Sequence, residues 1–170
     1  MNIQTRRIAA CGLLTAVALV LSLVERMFPL SAAVPIPGIK LGLANVVTLF
    51  ALVRLNRRDA LAILLIRVTL ASVFMGSVTS FLFALSGGLL AMLTMSLLLP
   101  GRGRWVSLVG VSIAGAAAHN IGQICAAMLV LRSVYAAAYL PLLLLSALAM
   151  GFSTGIVSRV TIEHLEKIPF

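Results

Sequence analysis

Acidic side chains are scarce in this chain: Glu25, Asp59, Glu163 and Glu166 are its four carboxylates in 170 residues. The one aspartate sits in a loop beside Arg57 and Arg58, and no two acids share a membrane face. Mg²⁺-assisted diphosphate chemistry needs such oxygen ligands. No P-loop is present and no Ser-His-Asp set can assemble. Self-contained phosphoryl, prenyl or hydrolytic chemistry is therefore not expected, and neither a cofactor nor a metal is implied. Cysteine is also rare. Cys11 and Cys125 both fall inside apolar runs, which argues against a disulfide framework or a metal site and reads as two small buried hydrophobes. Charge of either sign is thin at 10%, against about 25% in a soluble domain. With 62% hydrophobic residues and a mean hydropathy of +1.17, the chain reads as a single integral membrane domain over residues 1–170. Thirteen Lys and Arg raise the question of nucleic acid. They are spread along short connections and form no polar face, so that class is set aside.

What the chain has in abundance is apolar runs. Measured against about 20 residues per span, six stand out, giving an all-α polytopic protein with six transmembrane helices. They are Ile8–Phe28, Leu41–Leu55, Ala60–Met75, Phe81–Leu99, Trp105–Leu131 and Ala136–Val160. The second and third are short. The first resembles a cleavable signal peptide, with Arg6-Arg7 ahead of it and Ser31-Ala32-Ala33 behind. Its apolar run exceeds the usual 7–15 residues, and Glu25-Arg26 interrupts before the small residues, so it reads as a retained helix. An inside amino terminus places Arg6, Arg7, Arg54, Arg57, Arg58, Arg102, Arg104, Arg159 and Lys167 on the inner side. Arg26, Lys40 and Arg132 then fall outside. By the positive-inside rule both termini are cytoplasmic. The tail around Glu163, His164 and Glu166 reads as a solvated helix end.

The stretch Val34–Val46, VPIPGIKLGLANV, breaks the pattern. Pro35 and Pro37 cannot sit in a helix interior, yet Ile36, Ile39, Leu41 and Leu43 are too apolar for a solvated hairpin. Irregular backbone near lipid persists only where protein or a water-filled cavity satisfies it. The segment is expected to be a folded cap or binding loop on the outer side, with residues 29–40 as its loop.

Two sets of polar residues sit where lipid would penalise them. Arg67 lies seven residues into the third span, about 10 Å deep, and must find water, carbonyls or an anion. Glu25 is the one carboxylate placed to reach it. An Arg67–Glu25 tie between helices and a counter-charge for an anionic ligand are both open. His119 and Gln123 share a face at i, i+4, and Asn120 meets Gln123 at i, i+3. The same span carries Gly110, Ala114, Gly115, Ala118 and Gly122, so interhelical hydrogen bonding is one reading and a polar cavity near mid-membrane is the other. Asn45 sits at matching depth on the second span. Gly12-x-x-x-Ala16 and Gly151-x-x-x-Gly155 read as helix-packing motifs, and Gly87-Gly88 as a kink or a close approach to a ligand. Trp105, Tyr135 and Tyr139 stand at span ends, as interfacial aromatics do. The chain has no inverted repeat and no acid placed to carry a coupling proton. It reads as a binding subunit that depends on a partner for energy.

The runs VPIPGIKLGLANVVTLFAL (Val34–Leu52), RVTLASVFMGSVTSFLFALSGGLLAML (Arg67–Leu93) and AGAAAHNIGQ (Ala114–Gln123) resemble the Gx transporter family. Its members also go by the description heptaprenyl diphosphate synthase component I. That family is in turn similar to the substrate-binding S components of energy-coupling factor (ECF) transporters. The resemblance implies an S-component-like bundle in the plasma membrane of a bacterium. It would bind a small, anionic or amphipathic solute and dock on a transmembrane coupling subunit driven by ATPases. By that similarity Lys40 lies in the lid loop. Asn45, Arg67, His119, Asn120 and Gln123 lie on or near the pocket, and Gly12 and Ala16 face the coupling subunit. The alternative is a non-catalytic membrane component of a heptaprenyl diphosphate synthase or of a quinone or redox complex.

Overall fold

The computed structural model describes residues 3–25, 40–75 and 77–165. The expected lid loop lies outside them apart from Lys40, as do Arg26, Glu166 and Lys167. Among the described residues there are six α-helices: α1 (Ile3–Glu25), α2 (Asn45–Arg54), α3 (Arg57–Met75), α4 (Val78–Leu98), α5 (Leu108–Leu131) and α6 (Leu140–Leu165). Short 3-10 turns at Leu99–Gly101 and Val134–Tyr139 lead out of α4 and into α6. Four segments, Gln4–Glu25, Val78–Gly101, Leu108–Leu131 and Val134–His164, are long and apolar enough to cross a membrane.

Capping chemistry explains where the helices depart from the expected spans. The third run begins at Arg57, ahead of its first apolar residue, because Asn56 Oδ1 accepts the Asp59 N–H at 2.8 Å. That leaves the polar Arg57-Arg58-Asp59 as a first helical turn. Ser77 accepts the Ser80 N–H and starts α4. Ser107 accepts the Gly110 N–H and starts α5, so Trp105 falls in the preceding turn. The second run shrinks to the 10 residues of α2, about 15 Å of rise, or half the hydrocarbon core. The cause is Gly42, whose φ of +85° belongs to the left-handed region and ends any helical reading of Leu41–Ala44.

Short as it is, α2 is the hub. It packs against each of the other five helices, while α1, α3, α4, α5 and α6 follow one another around it. No residue of α2 is exposed. Val47 and Ala51 join Ala18, Ala60 and Ile63 in one apolar cluster. Leu49 joins Ala91, Met95, Leu108, Val111 and Ile162 in another.

The pattern on α3 is inverted relative to a soluble helix. Ala60, Ile63, Leu64, Arg67, Val68 and Ala71 are buried, the 3.6-residue stripe that faces a core. The opposite face exposes Leu61, Leu65, Ile66, Leu70, Val73 and Phe74. A helix that shows leucine outward and hides an arginine inward is arranged for lipid.

Helix contacts follow the small residues. A Cβ added at Gly151 would stand 2.6 Å from Ile113 Cα, and one at Gly155 would stand 2.9 Å from Val109 Cα. The Gly151-x-x-x-Gly155 motif therefore seats α6 directly on α5. Gly122 does the same for α5 against the backbone of Ser86 and Gly87. Gly87-Gly88 marks an approach to protein side chains and backbone: a Cβ at Gly87 would meet the His119 carbonyl at 2.8 Å, and one at Gly88 would meet Leu64 at 3.1 Å. Gly12 and Ala16 are exposed, and a Cβ at Gly12 would meet nothing within 4 Å. Cys11 is partly covered and Cys125 is exposed, which corrects the expectation of two buried cysteines; Cys125 falls on the outward side of α5. Trp105 and Tyr135 are more than four-fifths exposed at their helix ends.

At the polar end of α3, Asp59 pairs with Arg7 of α1, the Arg7 Nε and Nη2 donating to its two oxygens at 2.7 and 2.8 Å. Its neighbours Arg57 and Arg58 are not the partners. The Arg7 guanidinium holds the Asp59 carboxyl below the usual carboxylate range. A lowered folded-state value adds stability above the unfolded value of about 3.9 and loses it as pH falls through the folded one. Thermal unfolding in detergent should show Asp59→Asn below wild type by a constant margin between about pH 7 and 5. That margin should close in more acid solution. Gly151→Val should lower stability by about 1–3 kcal/mol through overpacking against Ile113, read by the same melts at neutral pH.

Candidate functional site

Four of the helices, or the segments leading into them, deliver polar groups to one buried region, and a fifth lines it. Ser22 and Glu25 come from the end of α1, and Lys40–Asn45 from the approach to α2. Arg67 comes from the middle of α3, and His119, Asn120 and Gln123 from the middle of α5. Gly87 and Gly88 of α4 bring a side-chain-free surface against them. Ser22, Glu25, Asn45, Arg67, His119, Asn120 and Gln123 are all buried.

The non-helical backbone entering this region is paired by two side chains. Gln123 Oε1 accepts the Lys40 N–H at 2.8 Å, and Gln123 Nε2 donates to the Lys40 carbonyl at 2.7 Å. The carboxamide acts as a strand partner would. Glu25 Oε1 accepts the Gly42 N–H. Gly42 then turns through its positive φ, and its carbonyl accepts the Asn45 N–H at 2.9 Å. A side chain at Gly42 would collide with Asn45 Nδ2 at 2.8 Å and His119 Cδ2 at 3.1 Å. Only glycine fits there, both for its dihedral and for its space.

The sequence-predicted residues thus divide into two groups. Asn120 and Gln123 are committed to the protein: Asn120 Nδ2 donates to the Leu143 carbonyl of α6 at 2.5 Å, and Gln123 is held by Lys40. Lys40 is tied through its backbone to Gln123. The other three keep polar atoms that are buried and have no hydrogen-bond partner. These atoms are both amide atoms of Asn45, Nε and Nη2 of Arg67, and both ring nitrogens of His119, whose ring meets the Gly87 backbone without a well-aligned hydrogen bond. Arg67 has one hydrogen bond, from Nη1 to Ser22 Oγ at 3.2 Å. Among the described residues no carboxylate comes within ion-pair distance of it. Glu25 acts on Arg67 electrostatically while its own oxygen serves Gly42.

Three adjacent side chains with orphaned polar atoms depart from the rule that buried polar groups are paired. Each unmet group costs about 1–3 kcal/mol, and more when charged. Such a set is what a polar or anionic ligand would satisfy. Glu25, Ser22 and Gly42 complete the region and were not singled out as site residues by sequence. Glu25 was visible as the lone carboxylate near Arg67, and Gly42 as a glycine beside the proline pair. Ser22 gave no signal beyond a hydroxyl in an apolar run.

A concavity of about 320 Å³ lies at the opposite end of α2, lined by Leu52, Val53, Arg57, Ser96, Leu99, Pro100 and Arg102. There Arg57 Nη2 donates to the Ser96 carbonyl at 3.1 Å. Pro100, four residues on, has no N–H to offer that carbonyl.

Four helices long and apolar enough to cross a membrane, with an arginine on the inward stripe of α3, mark a multi-pass α-helical membrane protein. The chain belongs to the heptaprenyl diphosphate synthase component I family, whose model matches residues 14–161. No curated protein and no solved structure matches it.

Replacing Gln123 tests the backbone clamp. Gln123→Ala strands the Lys40 N–H and carbonyl and should cost about 2 kcal/mol or more. Hydrogen exchange should accelerate at residues 40–46 and leave the α4–α5 and α5–α6 seams protected. Gln123→Glu keeps the acceptor for Lys40 N–H and should be milder.

Proposed function

We propose that the chain is a non-catalytic solute-binding subunit of a membrane uptake system, built on the plan of an ECF S component and energised by partner subunits. The observation that carries this reading is Arg67: fully enclosed, on the core-facing stripe of α3, with two guanidinium nitrogens unpartnered. A cation kept in that state is costly unless something else completes it. Asn45 and His119, equally unpartnered, supply the neutral donors and acceptors of the same site. The solute is small and anionic or amphipathic. Lysine and arginine placement supports an arrangement with the Arg7–Asp59 end in the cytoplasm and the Lys40 end outside. The exposed Gly12–Ala16 face of α1 would then be available to a coupling subunit. A non-catalytic role is supported by the three described carboxylates: Asp59 is held by Arg7, Glu163 by Arg159, and Glu25 by the Gly42 N–H.

The family's description favours a second reading, a non-catalytic membrane component of a heptaprenyl diphosphate synthase or of a quinone or redox complex. Co-purification separates the two. A transmembrane coupling subunit with ATPases supports the first, and a synthase subunit without ATPases supports the second.

The binding role of Arg67 has a stability signature. If Arg67 waits for a ligand, Arg67→Met removes an uncompensated charge, and the ligand-free protein should melt at the same temperature or higher. If Arg67 braces the helices, the same substitution should cost about 3–5 kcal/mol, as when a buried pair is broken. Melts of the ligand-free protein in nanodiscs decide between them.

A further inference from the structure

The concavity at the far end of α2 joins three stretches of chain: the last turns of α2, the first turn of α3, and the end of α4 with the turn after it. Its charged lining is of one sign, Arg57 and Arg102, with no carboxylate. Among the described residues neither arginine has a carboxylate within ion-pair distance; Asp59, two residues from Arg57, is taken by Arg7. Ser96 is buried, and its Oγ has no hydrogen-bond partner. The Ser96 carbonyl accepts Arg57 Nη2 at 3.1 Å, which holds that guanidinium at the concavity and leaves its other N–H groups to a ligand. Two guanidinium groups and an unpaired hydroxyl are donors suited to a phosphate. We infer that this concavity receives the phosphate of an anionic phospholipid headgroup, whose acyl chains lie along the lipid-facing side of α4. Arg67 and its surroundings play no part in it.

Position and walls select a lipid over a soluble phosphate. The concavity stands at the end of Val78–Gly101, a segment able to cross a membrane, where a span meets the headgroup layer. Trp105, 87% exposed, lies in the turn that follows, as an interfacial aromatic does. Leu52, Val53 and Leu99 pack on the apolar cluster around Leu49 and Met95, so part of the lining is hydrocarbon held in place by the core. On α4 the exposed Leu93 stands three residues before Ser96, and the exposed Leu97 three before Pro100. That spacing puts both leucines beside the concavity on one side of the helix. A volume of about 320 Å³ is at the lower end for a small-molecule pocket, which suits a headgroup whose chains stay outside. Basic pockets between helices at the cytoplasmic side of a membrane take anionic headgroups, and the Arg7–Asp59 end of the bundle, where Arg57 lies, is the end proposed to face the cytoplasm. A soluble phosphate would meet the arginines and leave the apolar walls unused.

Native mass spectrometry of the full-length protein in a neutral detergent, which counts single bound lipids, tests the site. Dioctanoyl phosphatidylglycerol should bind about tenfold or more tightly than dioctanoyl phosphatidylcholine, and glycerol 3-phosphate, a headgroup without chains, should bind more weakly than phosphatidylglycerol. Arg57→Gln and Arg102→Gln should each weaken phosphatidylglycerol about tenfold. Arg58→Gln and Arg104→Gln remove the same charge from neighbouring positions outside the lining, and should leave it within about threefold. Because Arg57 also ties α3 to α4, the exposed Arg102 is the position that separates binding from folding. The losses should persist in a Glu166→Gln background, which removes the one acidic side chain outside the described residues. Equal affinity for the two lipids would overturn the proposal and leave the concavity to an acidic side chain of a partner protein. Equal losses at all four arginines would overturn it in favour of diffuse surface charge. Glycerol 3-phosphate binding as tightly as phosphatidylglycerol would overturn the lipid and put a soluble phosphate in its place.

Discussion

Backbone that leaves the helical state inside an apolar bundle must have its N–H and C=O groups answered by protein, and in this chain Gln123 and Glu25 answer them. The two bonds between the Gln123 carboxamide and Lys40 fix where the chain approaches α2. The Glu25–Gly42 bond fixes where it turns. With those set, α2 starts at Asn45 and its side chain lands with His119 against Gly42. Remove the clamp and the site loses its roof along with the start of its central helix.

The same constraint explains why the polar residues divide as they do. Gln123 and Asn120 have their hydrogen-bonding capacity used up in holding α2 and α6 to α5. Glu25, the carboxylate that could have neutralised Arg67, is engaged with Gly42. What is left over, on Arg67, His119 and Asn45, is left over because the architecture has taken the other partners. The lost interactions are a stability cost borne by the empty protein, of the kind that a ligand returns on binding.

Much of this was readable from residue order. Arg67 announces itself as a charge in an apolar run, and His119–Gln123 as a polar face on a glycine-rich helix. The long apolar runs gave four helices able to cross a membrane, and the Gly151–Gly155 spacing marked the α5–α6 seam. The pairing of Gln123 with Lys40 was hidden, because 83 residues separate them and nothing local to either calls for the other. The partner of Asp59 was hidden for a related reason: it was read as a loop residue beside Arg57 and Arg58, but it lies in the first turn of α3 and pairs with Arg7, 52 residues away. The shortness of α2 was hidden too, since apolar composition carries on through Leu41 and Leu43 while the dihedral of Gly42 does not.

The inverted face of α3 has a consequence for how the protein is made. A segment with arginine at its centre is rejected by the insertion machinery at about 2.5–3.5 kcal/mol for that residue alone. Arg58 and Asp59 at its start add nothing to its apolar appeal. Ser22, which receives the guanidinium, belongs to a helix synthesised earlier, and Gly88, whose α-carbon lies close by, belongs to one synthesised later. Integration of α3 is therefore expected to be cooperative with its neighbours, the partners of Arg67 on α1 and α4 offsetting the cost of the charge. The arginine that the mature bundle encloses thus also bears on the order of its assembly.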